Sequence, residues 1–258
     1  MTKIIAHRGA SYAEPENTLS SINRAWEWGA DAVEIDIRVT QDGQLAVIHD
    51  ASTLRTTGQD YLVAETTLEV LRTLNAGWHK KRLQTPEPIP RLAEVLATIP
   101  AGRSIFLELK GADGMLDALE NCLRGNSAPP GQITLIGFDF DLMAAAKQRL
   151  PVSTVHWLIG KYAWADPREW PGMNGQFIER AVAGGLDGLV LALGHPVMNA
   201  GIVDQIHTAG LQAHLGSAPD LARAQHWLNE GADGLMTNLP DWLLHLRNSH
   251  EKWGKMAP

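Results

Sequence analysis

The sequence predicts an α/β fold of the (β/α)8 type, a TIM barrel, because short apolar runs alternate with amphipathic stretches along the chain. Its 258 residues suit one such barrel or two small domains. Lys3–His7 and Ala32–Thr40 have the apolar character of buried strands, and a helical spacing lies between them. Further strand candidates are Ser104–Lys110, Ile133–Phe138, Thr154–Ile159, Asp187–Leu193, Leu211–Leu215 and Gly234–Thr237.

Helices are predicted between these strands. Asn17 is expected to cap the first helix and Gly29 to end it. Later helices are indicated by apolar residues three or four apart, as in Leu92/Val95/Leu96/Ile99, Leu116/Leu119/Leu123 and Ile202/Val203/Ile206.

One short phrase recurs ahead of apolar runs. A glycine, one further residue and an aspartate stand at Gly29–Asp31, Gly185–Asp187 and Gly231–Asp233. Each phrase is typical of a glycine that stops a helix before a buried strand. The irregular spacing argues against a solenoid repeat, so the phrase indicates repeated helix-to-strand turns and a largely parallel sheet.

Gln44–His49 is one strand candidate more than a barrel needs. Asp42-Gly43, which precedes it, is a strong signal for a two-residue hairpin turn, and a parallel connection would need a dozen or more residues. We therefore expect Gln44–His49 to pair antiparallel with Ala32–Thr40. Counting back from a two-residue turn, Asp36 should face His49 across the hairpin.

The segment from Asp50 to about Pro90 interrupts the alternation. It is polar and rich in proline, with one helical pattern at Leu68/Leu71/Leu74. We expect residues 50–90 to form a small insertion after the second or third strand that caps one end of the barrel, within a single domain that spans residues 1–258.

Composition narrows the class of protein. The formal net charge of -7 argues against nucleic acid as a partner, although a local pocket can still be basic. The one cysteine, Cys122, cannot form an internal disulfide, and neither a signal peptide nor an apolar run of membrane length is recognised. The sequence thus predicts a cytoplasmic protein without stable membrane insertion, and it leaves the oligomeric state open.

Carboxylates repeat at a spacing of two within predicted strands. Glu34 and Asp36 point to the same face, and if buried together they need a cation or a proton between them. The alternative is a pair of solvated residues on an outward face, which the apolar residues between and around them disfavour. Glu108 and Lys110 repeat the spacing near a strand end, where a structural ion pair is the alternative.

His7-Arg8-Gly9 follows the first strand at the end of the barrel where catalysis takes place in this fold. A single histidine is more often structural, but arginine binds phosphate and glycine allows close backbone approach. Three carboxylates suit a hard cation such as Mg²⁺ or Ca²⁺. The sequence has no cysteine cluster and no close pair of histidines, the patterns that would indicate zinc. With His7 and His49, this set suits the cleavage of a phosphodiester.

The motifs also match a known family when they are taken in order. They are His7-Arg8-Gly9, Pro15-Glu16-Asn17-Thr18, Glu34-Ile35-Asp36-Ile37, Thr40-Gln41-Asp42-Gly43, His49-Asp50, Thr53–Gly58, Ile89–Leu96 and Leu107-Glu108-Leu109-Lys110. This ordered set resembles the glycerophosphodiester phosphodiesterases of the bacterial cytoplasmic type. Each motif alone is weak, but the set covers nearly the whole chain, and Thr53–Gly58 and Ile89–Leu96 resemble the start and end of the family's insertion.

The resemblance implies a role for each motif residue. The ligands of a divalent metal, Mg²⁺ or Ca²⁺, would be Glu34, Asp36 and Glu108. The general acid and general base would be His7 and His49, in an order that the sequence does not fix. The residues that bind the phosphate or shape the loop beside it would be Arg8, Glu16, Asn17 and Lys110.

The resemblance also implies a reaction. A small glycerophosphodiester would be hydrolysed to an alcohol and sn-glycerol 3-phosphate. In the family mechanism the glycerol 2-hydroxyl attacks first, and water then opens the cyclic phosphate. The head-group preference and the choice of metal are not set by the sequence.

The C-terminal half departs from the family pattern at three places. His214-Leu215-Gly216-Ser217 stands where a Trp-Thr-Val-Asn-like strand end is usual, and Thr237-Asn238-Leu239-Pro240 stands where Thr-Asp-x-Pro is usual. Gly137-Phe138 replaces the common Ser-Phe. None of these is an implied metal ligand or acid–base residue, so they bear on substrate preference, and His214 is expected to be structural or to line a pocket.

Three alternatives compete with this interpretation. A lysophospholipase-D-type enzyme on acylated substrates would need an apolar groove near the insertion. A catalytically silent barrel would have lost a metal ligand or a histidine, whereas all five residues are present. A metal-dependent aldolase or enolase-like barrel is permitted by the fold but leaves the His7-Arg8 and His49 motifs unexplained.

Overall fold

The computed structural model describes residues 1–80, 86–111, 113–125, 130–160, 176–192, 201–216 and 221–254. Its strands are β1 (Lys3–His7), β2 (Ala32–Val39), β3 (Leu45–Val47), β4 (Ser104–Leu109), β5 (Ile133–Gly137), β6 (Thr154–Ile159), β7 (Gly188–Ala192), β8 (Gln212–Gly216) and β9 (Gly234–Thr237). β1 pairs in parallel with both β2 and β9, and the other neighbours follow in the order β9-β8-β7-β6-β5-β4-β2. Eight parallel strands thus close into the predicted (β/α)8 barrel.

Helices connect these strands, and one segment of the chain carries only very short ones. The α-helices are α1 (Leu19–Glu27), α2 (Leu54–Thr57), α3 (Leu68–Leu71), α4 (Leu92–Leu96), α5 (Met115–Arg124), α6 (Phe140–Arg149), α7 (Gln176–Ala183), α8 (Ile202–Thr208), α9 (Leu221–Asn229) and α10 (Pro240–Gly254). Single turns of 3-10 helix occur at Val63–Glu65 and Pro130–Gln132. Within the described part of the chain, no helix has both the length and the apolar character needed to cross a membrane.

β3 lies outside the closed barrel and runs antiparallel to β2, which confirms the hairpin. The expected register is wrong by one residue. Ile37 pairs with Val47, and Ile48 N–H donates to Asp36 O at 3.0 Å, so Ile48 rather than His49 lies opposite Asp36.

The register differs because the turn has three residues instead of two. Thr40 N–H donates to Gln44 O at 2.9 Å, and Gly43 N–H donates to Thr40 O at 2.9 Å. The Thr40 hydroxyl accepts from Gln44 N–H and donates to Asp42 Oδ1. Gly43 has a φ of +69°, as in a three-residue hairpin loop that ends on a left-handed residue.

The cap of α1 was also predicted one residue early. Thr18 has extended backbone, and its hydroxyl accepts from Ser21 N–H at 3.3 Å, as an N-cap residue does. Asn17 has a φ of +60°, which lies outside the extended region that an N-cap adopts. Its amide is also engaged elsewhere, with Asp36.

The recurring glycine–aspartate phrase has a structural role that the sequence alone did not reveal. Gly29, Gly185 and Gly231 have φ values of +87°, +67° and +75°, as predicted for helix stops. Each aspartate side chain then accepts a backbone N–H at the start of a neighbouring strand. The pairs are Asp31 with Ile4, Asp187 with Val155 and Asp233 with Ala213.

The barrel interior combines an apolar layer with two histidines. Phe106, Leu158 and Val190 belong to the buried cluster inside the strands. His156 and His214 are buried beside it, with ring centroids 4.8 Å apart, and His214 lies 5.2 Å from Phe106. Most of the remaining core lies between the strands and the surrounding helices.

Residues between β3 and α4 form a small core of their own. Ile48, Val63, Leu68 and Leu71 pack together there with Ala46, Leu74, Ala76 and Ile89. The insertion over residues 50–90 stays a prediction, and 81–85 lie outside the described residues. Lys80 Nζ, which donates to Ser11 O and Tyr12 O at 2.6 Å each, ties this region to the loop after β1.

Candidate active site

The predicted site residues meet at the carboxyl ends of the first barrel strands. The parallel register places His7 beside Glu34 and Asp36 beside Glu108. Glu34, Asp36 and Glu108 point inward because alternate residues of a strand share a face. Six predicted residues line one cavity of about 190 Å³, namely His7, Arg8, Glu34, His49, Glu108 and Lys110.

The opposite wall of this cavity is apolar. Phe138, Leu158, Val190, Ala192 and Met236 line it, together with Ile136 and Gly216. The cavity therefore offers charged groups on one side and a surface without hydrogen-bonding side chains on the other. Such a site can fix the charged end of a small molecule while the rest of that molecule lies against the apolar wall.

The three carboxylates form a tight, buried group. Glu34, Asp36 and Glu108 are 1%, 0% and 6% exposed, and one oxygen from each lies within 4.8 Å of the others. Burial and the Asp36 charge raise the pKa of Glu34 to about 8 and that of Glu108 to about 7. Lys110 and Arg8 hold the pKa of Asp36 well below its usual range, although burial opposes them.

This group fits a divalent cation. Oε1 of Glu34 is buried and has no hydrogen-bond partner, so it is free to bind an ion. Mg²⁺ and Ca²⁺ prefer carboxylate oxygens, and three carboxylates at this spacing supply them. Among the described residues, no other group of three or more His, Cys, Asp or Glu side chains has this geometry.

Two basic side chains neutralise the carboxylates. Arg8 Nε lies 3.1 Å from Asp36 Oδ2, and Arg8 N–H donates to Glu34 Oε2 at 3.0 Å. Lys110 Nζ lies 3.1 Å from Asp36 Oδ1 and also pairs with Glu108. Both cations line the cavity.

Glu16 and Asn17 lie behind the cavity and do not line it. Asn17 Nδ2 donates to Asp36 Oδ2 at 2.8 Å, and Asp36 N–H donates to Asn17 Oδ1 at 3.1 Å. Glu16 accepts from Arg8 Nη1 at 2.8 Å. Arg8 and Asn17 have φ values of +57° and +60°, the two described non-glycine residues in the left-handed region. The strained loop is thus tied to a carboxylate and to a cation of the site.

His7 is oriented by a residue from the other end of the chain. Its Nδ1 lies 2.7 Å from Asn238 Oδ1, an acceptor, so Nδ1 carries the hydrogen and Nε2 is left with its lone pair. Nε2 lies 3.8 Å from Glu34 Oε2. Burial and the Arg8 charge lower the pKa of His7, which favours the neutral ring.

His49 has a charged partner instead. Its Nδ1 donates to Asp50 Oδ1 at 2.6 Å, and Arg38 Nε holds its backbone carbonyl at 2.7 Å. His49 lines the same cavity even though the predicted cross-strand pairing with Asp36 was wrong, because it lies beyond the end of β3. The two histidines therefore differ in the group behind the ring, an amide for His7 and a carboxylate for His49.

Sequence reasoning missed the residues that hold the histidines. Asn238 was singled out only as a departure from a family pattern, and Asp50 only as part of a motif. Arg38 carried no signal beyond its place two residues after Asp36. Arg55, which contacts both Asp50 and Glu16, stood in the motif at the start of the insertion without an assigned role.

His214, which was expected to be structural or to line a pocket, lies inside the barrel. It is buried inside the barrel against His156 and Phe106 and does not line the cavity of the carboxylates. Gly216, two residues on, does line that cavity. Ser217 and the predicted strand residue Leu193 lie outside the described residues.

The sequence and the fold both match known proteins. A model of the Glycerophosphoryl diester phosphodiesterase family matches residues 7–242. A glycerophosphodiester phosphodiesterase of Bacillus subtilis is 29% identical over 92% of this chain and 83% of its own length. One from Caldanaerobacter subterraneus subsp. tengcongensis is 45% identical, but the match spans 38% of this chain and 40% of that relative.

A solved structure of a phosphodiesterase has the same fold as this chain. The phosphodiesterase of Oleispira antarctica in complex with the product sn-glycerol-3-phosphate superposes with a TM-score of 0.84 at 25% identity, covering 96% of this chain and 97% of that one. The family match covers well over half of the chain and begins at His7. The chain therefore belongs to the glycerophosphoryl diester phosphodiesterase family of enzymes.

Proposed function

We propose that the protein hydrolyses glycerophosphodiesters to an alcohol and sn-glycerol 3-phosphate, with a divalent metal and with His7 and His49 as the acid–base pair. The observation that carries the proposal is one cavity lined by two histidines, two cations and two carboxylates, Glu34 and Glu108, which form a buried cluster with Asp36. Family membership and the product named for the Oleispira antarctica structure support the choice of substrate.

Glu34, Asp36 and Glu108 would hold the metal. Mg²⁺ or Ca²⁺ bound there would offset the phosphate charge as it grows in the transition state. Lys110 and Arg8 flank the carboxylates and would bind the other phosphate oxygens. Asn17 and Glu16 keep Asp36 and Arg8 in place through the bonds described above.

The groups behind the histidines suggest how protons move. His7 has a free Nε2 lone pair and a neutral partner, so it suits the base that takes the proton from the glycerol 2-hydroxyl. As that oxygen bonds to phosphorus, the bond to the alcohol breaks, and His49 gives the alcohol its proton. Burial lowers the pKa of His49, and the Asp50 carboxylate opposes this by stabilising the charged ring. Water then opens the cyclic phosphate with the proton transfers reversed.

The test is glycerol 3-phosphate release from a panel of glycerophosphodiesters, with Mg²⁺, with Ca²⁺ and with a chelator. We expect release that depends on metal and falls by at least about 100-fold in His49→Ala. Folded wild-type protein that releases no glycerol 3-phosphate with either metal would refute the proposal. If the protein is still stabilised by metal, the substrate assignment alone is wrong.

A second candidate is a lysophospholipase-D-type activity on acylated diesters. A cavity of about 530 Å³ lies between the hairpin and the insertion, with Val39, Leu62 and Val63 among its walls, and Lys110 lines both this cavity and the one above. An acyl chain could follow that apolar wall while the phosphate stays at Lys110. Turnover of acylated against deacylated diesters with the same head group distinguishes the two activities.

The remaining expectations about partners stay predictions. A small-molecule substrate is proposed, without nucleic acid and without stable membrane insertion. The cytoplasmic location rests on the sequence alone.

A further inference from the structure

Arg55, at the start of the insertion, binds two carboxylates that belong to different parts of the site. Its Nε donates to Asp50 Oδ2 at 2.5 Å. Its two terminal nitrogens donate to the two oxygens of Glu16 at 2.8 and 2.7 Å, a bidentate pair. A guanidinium can make these three bonds at once because its donors are fixed in one plane.

Each of the two carboxylates is itself bonded to a proposed site residue. Asp50 Oδ1 accepts from His49 Nδ1, so the oxygen that orients the imidazole and the oxygen that binds Arg55 belong to one carboxylate. Glu16 Oε1 accepts from Arg8 Nη1 as well as from Arg55. Arg55 thereby connects the ring of His49 with the guanidinium of Arg8.

We propose that Arg55 is a positioning residue through which the insertion sets the orientation of both His49 and Arg8. This rests on the proposed function of those two residues. Arg55 does not line the cavity of the carboxylates, so it acts through Asp50 and Glu16 and does not touch the substrate. The segment that carries Arg55 would therefore contribute to the geometry of the site.

The two branches predict separable effects on kinetics. Asp50 orients a proton donor, so Asp50→Asn should lower kcat while KM changes less than about threefold. Glu16 holds a phosphate-binding arginine, so Glu16→Gln should mainly raise KM. Arg55→Gln should do both, with a loss in kcat/KM of about 10- to 100-fold, the size expected from misplaced site residues.

The chain offers a matched control in Arg72. Arg72 also forms a bidentate pair, with Glu94 of α4, and it too ties the insertion region to a barrel helix. It contacts none of the site residues in the described part of the chain. Arg72→Gln removes the same chemistry and should leave kcat and KM within about twofold of the wild type.

The experiment measures kcat and KM for glycerol 3-phosphate release in the wild type, R55Q, R55K, D50N, E16Q and R72Q, with thermal unfolding of each. A nitrogen-15 NMR spectrum of the histidine side chains adds a readout that needs no turnover. The His49 Nδ1–H signal should persist in R72Q and broaden or shift in R55Q. R55K, which keeps the charge but not the three bonds, should recover only part of the loss.

Equal kinetic losses in R55Q and R72Q, or an unchanged His49 signal in R55Q, would overturn the proposal, because both outcomes indicate a role in stability alone. If R55Q does not fold, the proposal is tested with R55K, D50N and E16Q. D50N should then mainly lower kcat, E16Q should mainly raise KM, and R55K should do both. A wild type without turnover refutes the proposed function, and the His49 signal still tests Arg55 independently.

Discussion

The buried pair of histidines inside the barrel should make the protein sensitive to acid. His156 is fully buried, and its ring centroid lies 4.8 Å from that of His214 and 6.1 Å from that of Phe106. Burial lowers the pKa of His156 to about 4 and also lowers the pKa of His214, whose ring centroid is 4.8 Å away. Protonation therefore favours the unfolded chain, where the imidazole is in water.

The sign and size follow from the two pKa values of His156. The folded value lies below the unfolded value of about 6.5, so the stabilisation is complete above pH 6.5 and is lost as the pH falls towards 4. Between pH 7 and pH 5 the loss for this residue is roughly 2 kcal/mol. For a chain of this size that corresponds to a fall of about 4–8 °C in Tm.

Other groups titrate in the same range, so the comparison must be made between variants. The raised pKa values of Glu34 and Glu108 act in the opposite direction and favour the folded protein as the pH falls. We expect His156→Gln to lose less stability than the wild type between pH 7 and pH 5, by roughly 2 kcal/mol in urea unfolding. His226→Gln, on the exposed side of α9, is the control and should follow the wild type. A difference below about 0.5 kcal/mol for His156→Gln would refute the reasoning.

Three further predictions follow from the site and the barrel. Asn17→Ala removes two hydrogen bonds to buried Asp36 and places alanine at a φ of +60°. The free energy of unfolding measured in urea should therefore fall by about 2–4 kcal/mol. A decrease of less than about 0.5 kcal/mol would contradict this. Gly188→Ala would bring a Cβ to 2.7 Å from Gln212 O and 2.8 Å from His156 Cδ2. It should lower the free energy of unfolding in urea by about 1–3 kcal/mol. Gly131→Ala is the control and should leave this free energy nearly unchanged, because the space around Gly131 is open. Saturation with Mg²⁺ or Ca²⁺ at about 100 Kd should stabilise the wild type by about 2.7 kcal/mol in thermal unfolding, and Glu34→Gln should abolish most of this; equal stabilisation of both proteins would place the metal elsewhere.

Much of the barrel could be predicted because its strands are encoded locally. β1, β6 and β9 have the predicted bounds, and the glycine–aspartate phrases mark three of the helix-to-strand turns. The spacing of Glu34 and Asp36 fixes their shared face in any strand. Their burial followed from the apolar residues around them.

Errors arose where one residue of loop length decides the outcome. The hairpin turn has three residues, so the register with β3 shifts by one and Ile48 faces Asp36. Asn17 suits an N-cap by residue type, yet its amide is used by Asp36, and Thr18 takes the cap. Local propensity does not include such competing partners.

The sequence by itself predicted the strand segments, the end of the barrel at which the polar residues gather, and the three carboxylates that cluster there. Only the tertiary structure decided which groups hold the two histidines. Asn238 reaches His7 across 231 residues of sequence because β9 closes the barrel against β1. Arg55 reaches Glu16 because the insertion folds over the loop after β1. Such contacts depend on closure of the sheet and on packing between distant segments, and no local pattern of residues specifies them.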